Sequence, residues 1–132
     1  MALLITGGAG FIGSAFVNSW FQNTNEPAVT LDLLTYAGNP DNFDGLRSTA
    51  PHTFVQGDIG DRALVQRILA EHQPRGIVHL AAETHVDRSI RTADAFFDTN
   101  VVGTARLLDE ATKYWRTLSE DRKVKFRFLH VS

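Results

Sequence analysis

The sequence predicts an α/β protein built on a doubly wound parallel sheet of about five strands, and three observations carry that prediction. Short strand-like runs at residues 3–6, 28–31, 52–56, 77–82 and 126–131 alternate with segments whose apolar residues recur at helical spacing. The first run breaks into glycines (Gly7, Gly8, Gly10 and Gly13) and resumes as a helix-compatible stretch. The second run ends on a carboxylate, Asp32, close to the spacing at which such a group meets a ribose in nucleotide-binding sheets.

Residues 3–6 read as the first strand, and Phe11, Ile12, Ala15, Phe16 and Trp20 mark a helix that runs to about Asn23. A polar loop at 23–27 leads to the second strand at 28–32, which closes one β-α-β unit. Residues 33–44, with Gly38, Asn39 and Pro40, form a loop too long for a plain connector, with at most a short helix at 41–47. A third strand follows at 52–56. Asp61 then caps a helix with Leu64, Val65, Ile68 and Leu69 on one face, and Pro74 and Gly76 stop it. The fourth strand, 77–82, is continuously apolar except for His79, as expected of a central strand buried on both faces. Within it His79 reads as a hydrogen-bonded core histidine.

The longest helical pattern spans 93–118 and shows two stripes. Phe97, Val101, Ala105, Leu108 and Trp115 form one, and Phe96, Gly103, Leu107 and Tyr114 form the other. Either one stripe meets the sheet and the other a partner subunit, or both belong to one broad core face. A polar segment at 119–123 precedes a last strand at 126–131.

The 132 residues suffice for one domain and are short for an oxidoreductase with a substrate domain as well. A net charge of −2 without a basic tract disfavours nucleic acid and anionic membranes as partners. The lack of cysteine excludes disulfides, thiolate catalysis and zinc thiolate sites, and fits a cytoplasmic protein. The amino terminus lacks a charged n-region and turns into glycines after a few apolar residues, so it reads as a strand rather than a signal peptide or membrane span.

Ligands of an open parallel sheet lie outside the carboxyl ends of its strands. Here those ends carry the glycine turn, Asp32, Asp58 with Ile59, and Leu80, Ala81, Ala82, Glu83 and Thr84. Glycines let a diphosphate approach the backbone, and the N–H groups of a helix start point at it. The turn fits two registers, Gly8-Gly10-Gly13 or Gly7-Gly10-Gly13, and both indicate a dinucleotide. Asp32 is followed by Leu33 and Leu34, with no neighbouring cation to neutralise a 2′-phosphate, so NAD is favoured over NADP. Asp58 either accepts from the adenine amino group, with Ile59 against the ring, or organises a turn. Ala81 and Ala82 allow close approach, and Thr84 offers a hydroxyl beyond the nicotinamide; packing alone would also explain them. His85, Asp87 and Ser89 do not make a nucleophilic triad by adjacency, and the histidines show no metal spacing, so no metal is expected. No Tyr-x-x-x-Lys occurs: Pro40 stands four places after Tyr36 and Leu118 four after Tyr114.

Taken together these segments resemble the extended short-chain dehydrogenases that act on nucleotide sugars, and most closely the dTDP-glucose 4,6-dehydratase family. The likeness runs through Ile5-Thr6-Gly7-Gly8-Ala9-Gly10-Phe11-Ile12-Gly13-Ser14, Asp32-Leu33-Leu34-Thr35-Tyr36-Ala37-Gly38-Asn39 and Gly57-Asp58-Ile59. It continues through Leu80-Ala81-Ala82-Glu83-Thr84-His85-Val86-Asp87-Arg88-Ser89-Ile90 and Thr99-Asn100-Val101-Val102-Gly103-Thr104. Residues 34–39 and 85–90 are the pieces that single out this dehydratase. The resemblance implies a Rossmann-type domain in which Phe11 and Ile12 contact the NAD diphosphate and the segment from Asp32 through Leu33, Leu34 and Thr35 holds the adenosine ribose. It further implies that Asp58 and Ile59 hold the adenine, that Leu80 to Thr84 with Thr99 line the nicotinamide side, and that Thr84 meets the hexose. The glycine register is then Gly7, Gly10 and Gly13. Leu33 departs from the lysine usual in the family, and Thr84 from the serine of many members.

The resemblance also implies a homodimer through the helix around Phe96 and Trp115. The implied reaction takes hydride from C4 of dTDP-glucose, eliminates water across C5 and C6, and returns hydride to C6. The family's acid-base groups, a Thr-Asp-Glu segment and a Tyr-x-x-x-Lys pair, have no counterpart in these residues. Residues 1–132 are therefore expected to be an incomplete NAD-binding domain with no catalytic residue and no turnover on its own. The runner-up readings are a UDP-sugar epimerase or decarboxylase, and a non-catalytic NAD-binding or interaction module.

Overall fold

Five strands, β1 (Ala2–Thr6), β2 (Ala28–Asp32), β3 (His52–Gln56), β4 (Pro74–His79) and β5 (Arg127–His130), form one sheet in the order β3-β2-β1-β4-β5. Every pairing is parallel. The computed structural model describes residues 2–8, 11–33, 45–47, 49–80 and 98–131. Strand order reverses at β1, between β2 and β4, and the mouth of such a reversal is where open α/β sheets take their ligands.

The sheet is covered on both faces, and β1 is buried at every position, apolar from Ala2 to Ile5 and closed by Thr6. Leu3 and Ile5 point to one side, where they join Val78, Ala28 and the residues Val17 and Phe21 of α1 (Phe11–Asn23). Leu4 points to the other, into a larger cluster with Val29, Leu31 and Ile77. That cluster also takes Val65, Ile68 and Leu69 of α2 (Arg62–His72) and Leu107, Ala111 and Tyr114 of α3 (Thr104–Arg116). The period-two alternation of strands and the 3.6-residue stripe of helices thus meet in two apolar layers.

Three boundaries differ from the sequence reading. Gln73, in the left-handed conformation at φ 46°, ends α2 and donates its N–H to Leu69 O, so Pro74 opens β4 instead of merely stopping a helix. A proline is tolerated there because the first strand position need not donate. The pattern at 93–118 is observed as a π-helical turn, Asp98–Gly103, followed by α3; its first five residues lie outside the described region. The polar segment at 119–123 is part of a short helix, α4 (Glu120–Lys125), whose cap Ser119 accepts from the Arg122 N–H.

Of the two stripes, Leu107 and Tyr114 are buried, whereas Val101, Leu108 and Trp115 are 49%, 43% and 39% exposed. The stripes therefore do not merge into one core face. Phe96 and Phe97 lie outside the described residues. The helical layer also hides a carboxylate. Glu110 of α3 is 2% exposed and accepts from Arg62 Nη1 and Gln66 Nε2 of α2 at 2.8 Å each, and from Lys113 Nζ at 3.3 Å. Burial pushes its carboxyl up, but the donors of Gln66, Arg62 and Lys113 outweigh that and hold it below the ordinary value.

Candidate functional site

The sheet ladder runs one residue past the strands and aligns their carboxyl ends along one edge. Gly7 N–H donates to Leu31 O at 2.9 Å, Gly57 N–H to Asp32 O at 3.0 Å, Leu80 N–H to Thr6 O at 2.9 Å and Val131 N–H to His79 O at 3.0 Å. Gly7, Asp32, Gly57 and Leu80, each at or beside a residue singled out in the sequence, are therefore close neighbours in space.

At the centre of the edge the chain leaves β1 through Gly7, whose φ of 75° lies in the left-handed region that a side chain disfavours. The first turn of α1 then passes so close to this bend that a Cβ on Gly13 would stand 2.0 Å from the Gly7 carbonyl oxygen. A Cβ on Gly8 would stand 2.3 Å from Thr30 Cγ2. Both glycine registers are thus sterically enforced, at Gly7 with Gly13 and at Gly8 with Gly13. Ile12, at the start of α1, is 64% exposed, an apolar side chain offered to solvent beside the turn.

Asp32 ends β2 half-buried, and Leu33 beyond it is 38% exposed. Asp58 shows the turn-forming geometry, with its Oδ1 accepting from the Gly60 N–H at 2.8 Å. Ile59 is 4% exposed and its side chain belongs to the core between the sheet and the α2–α3 layer. Arg106 of α3 reaches this turn, donating from Nη1 to Gly60 O at 3.3 Å. Gly10, Leu34, Thr35, Ala81, Ala82, Glu83 and Thr84 lie outside the described residues, as do His85, Asp87 and Ser89; of Phe11 and Thr99 only the backbone is described. Among the described residues no cluster of histidine and carboxylate side chains could hold a metal, and no helix is long and apolar enough to cross a membrane.

The reading of His79 as a hydrogen-bonded core histidine holds, while its partners beneath the edge were not foreseen. His79, 2% exposed, lies between two hydroxyls, with Thr6 Oγ1 2.6 Å from Nδ1 and Thr104 Oγ1 2.8 Å from Nε2. The ring stacks on His130 at 4.8 Å between centroids. Burial and the neighbouring His130 lower its pKa to about 4, so the ring is neutral at physiological pH. Burial also lowers His52, which meets Thr30 Oγ1 at 2.8 Å. A signal for the first group was present: Thr6 and His79 are the buried polar residues that close two central strands, and the parallel register places them side by side.

A parallel sheet wound in this order, with a glycine turn leading into its first helix and a carboxylate ending its second strand, defines a Rossmann-type domain. A model of the family described as GDP-mannose 4,6 dehydratase matches residues 4–132, and the chain belongs to that family. A dTDP-glucose 4,6-dehydratase of Escherichia coli is 51% identical over 132 residues, covering 100% of this chain and 36% of the relative. The structure of dTDP-glucose 4,6-dehydratase from Bacillus anthracis in complex with NAD superposes with a TM-score of 0.81 at 34% identity, covering 100% of this chain and 37% of that one. UDP-glucose 4-epimerase from Thermotoga maritima, solved with UDP-glucose, gives 0.74 at 35% identity, over 86% and 35% of the two chains. The chain thus spans a little over a third of the length of the curated relatives it matches.

Proposed function

We propose that these residues are the NAD-binding part of a dTDP-glucose 4,6-dehydratase. The observation that carries the reading is the Gly7–Gly13 crossing. A crossing in which a Cβ would strike backbone at 2.0 Å demands glycine there, and it sets the start of α1, the end of a helix that favours an anion, directly beside the β1 turn. The 51% identity to a dehydratase supports the reaction class.

In this reading Gly7, Gly10 and Gly13, with Phe11 and Ile12, take the diphosphate. The Asp32 carboxylate accepts from the adenosine ribose hydroxyls, beside Leu33, Leu34 and Thr35, and its charge repels a 2′-phosphate. Asp58, held by its bond to the Gly60 N–H, and Ile59 border the adenine. Leu80, Ala81, Ala82, Glu83, Thr84 and Thr99 line the nicotinamide side, with Thr84 also meeting the hexose. Bound NAD supplies a hydride acceptor; these residues orient it and shield it from water.

The partner we propose is a second copy of the chain, joined through the helix around Phe96 and Trp115. The exposed stripe of Val101, Leu108 and Trp115 supports this, as does an apolar groove of about 130 Å³ lined by Leu108, Ala111, Thr112, Trp115, Phe126 and Phe128. The likeness to the Thermotoga maritima epimerase favours a second reading, a UDP-sugar epimerase. Incubating the full-length protein that carries these residues with dTDP-glucose and NAD decides between them. The proposal expects the 4-keto-6-deoxy sugar, and recovery of only a C4 epimer from a UDP-sugar would overturn it.

A further inference from the structure

We infer that His79 is a positioning residue for the nicotinamide side of the cofactor edge, setting the end of β4 against the first turn of α3; this rests on the NAD reading above. The hydrogen bonds form one continuous bridge. Leu80 N–H donates to Thr6 Oγ1 at 3.1 Å, and Thr6 Oγ1 lies 2.6 Å from His79 Nδ1. Thr104 Oγ1 lies 2.8 Å from Nε2, so the neutral ring donates from one nitrogen and accepts at the other. Each hydroxyl or amide in this chain adjoins the edge. Thr6 precedes the left-handed Gly7, Leu80 follows His79 at the strand end, and Thr104 follows the π-helical turn that contains Thr99. Such turns interrupt helices where local geometry is specified rather than merely stable.

Stability alone does not account for the arrangement. An imidazole between two hydroxyls inside an apolar strand gains little over a packed apolar side chain, since its hydrogen bonds only replace those made to water. What the three groups supply and apolar ones would not is direction: one fixed offset between the glycine turn, the nicotinamide strand and the start of α3. The His130 ring closes the remaining side of His79 at 4.8 Å.

The test compares two probes, NAD and AMP, by titration of the full-length protein that carries these residues. AMP engages only the adenine side. His79→Phe keeps a flat ring and removes both nitrogens; Thr104→Val removes one end of the bridge without touching the imidazole, and Thr104→Ser restores it. The inference expects the NAD dissociation constant to rise about tenfold in His79→Phe and Thr104→Val. It also expects AMP binding within about twofold of wild type, and recovery of NAD affinity in Thr104→Ser. Should His79→Phe fail to fold, the Thr104 pair gives the same reading. Equal weakening of NAD and AMP, or no weakening of NAD, overturns the positioning role while leaving the NAD reading intact. A wild-type protein that binds neither probe removes the NAD reading itself and this inference with it.

Discussion

Gly13 has no room for a side chain: the nearest obstacle to a Cβ is the Gly7 carbonyl, and a backbone atom cannot swing aside as a side chain can. Gly13→Ala is therefore expected to lower stability by about 2 kcal/mol, the scale of overpacking in a close-packed region, and to abolish NAD binding; a denaturant melt and a titration check both. The sequence located this turn, but it could not say which glycines the sterics demand, because that depends on how α1 crosses the bend. His79 gives a pH prediction. Its unfolded value is 6.5 and its folded value about 4, so between those limits the unfolded chain binds a proton that the folded chain does not. Stability should fall by roughly 3 kcal/mol as pH drops from 6.5 to 4 and then level for this group. Glu110, held below 4.5, contributes stability present above that value and lost as pH falls through its lower folded value, extending the loss. Melting temperatures across this range in wild type and His79→Phe test the assignment, since the variant should flatten the upper part of the curve.

At the scale of elements, α3 separates into a buried and an exposed face one residue apart. Leu107, fully buried, is expected to cost about 3 kcal/mol on truncation to alanine. Leu108→Asp, on the exposed stripe, should change monomer stability by about 0.5 kcal/mol or less while shifting a dimer toward monomer; melts and sedimentation together separate the two effects. The two stripes were legible as helical periodicity, but which one meets the sheet was not, because periodicity gives the angle between faces and not the orientation of the helix. The Asp61 cap of α2 was equally legible, and its side chain does accept from the Leu64 N–H. The burial of Glu110 was not. A glutamate among Asp109, Thr112 and Lys113 reads as part of a solvated face, and it is hidden only because Arg62 and Gln66, far away in sequence, approach from α2. The helix α4 was overlooked for a related reason: no buried residue lies within it, so it left no apolar pattern. Its capping serine and its charge order, acidic first and basic last, were the local signals available.

At the scale of the molecule, the order β3-β2-β1-β4-β5 is the feature from which the site follows, since it places the glycine turn, Asp32, Asp58 and Leu80 at one mouth. Alternation of element types was enough to predict a parallel sheet and its ligand edge, because right-handed crossovers leave few other arrangements. Of the hydroxyl-imidazole bridge under that edge, such reasoning reached the buried, hydrogen-bonded His79 but not its partners, which depend on the register between β1 and β4 and on where α3 packs. The central claim is that this edge binds NAD and selects it over NADP through Asp32. Its most direct test is a titration of the chain and of Asp32→Ala with both cofactors. The account predicts saturable NAD binding, at least about tenfold tighter than NADP, with the preference lost and NAD weakened by about tenfold in the variant, as for a hydrogen bond to a charged group. Absence of NAD binding by the folded chain, or a preference that survives removal of Asp32, would contradict it.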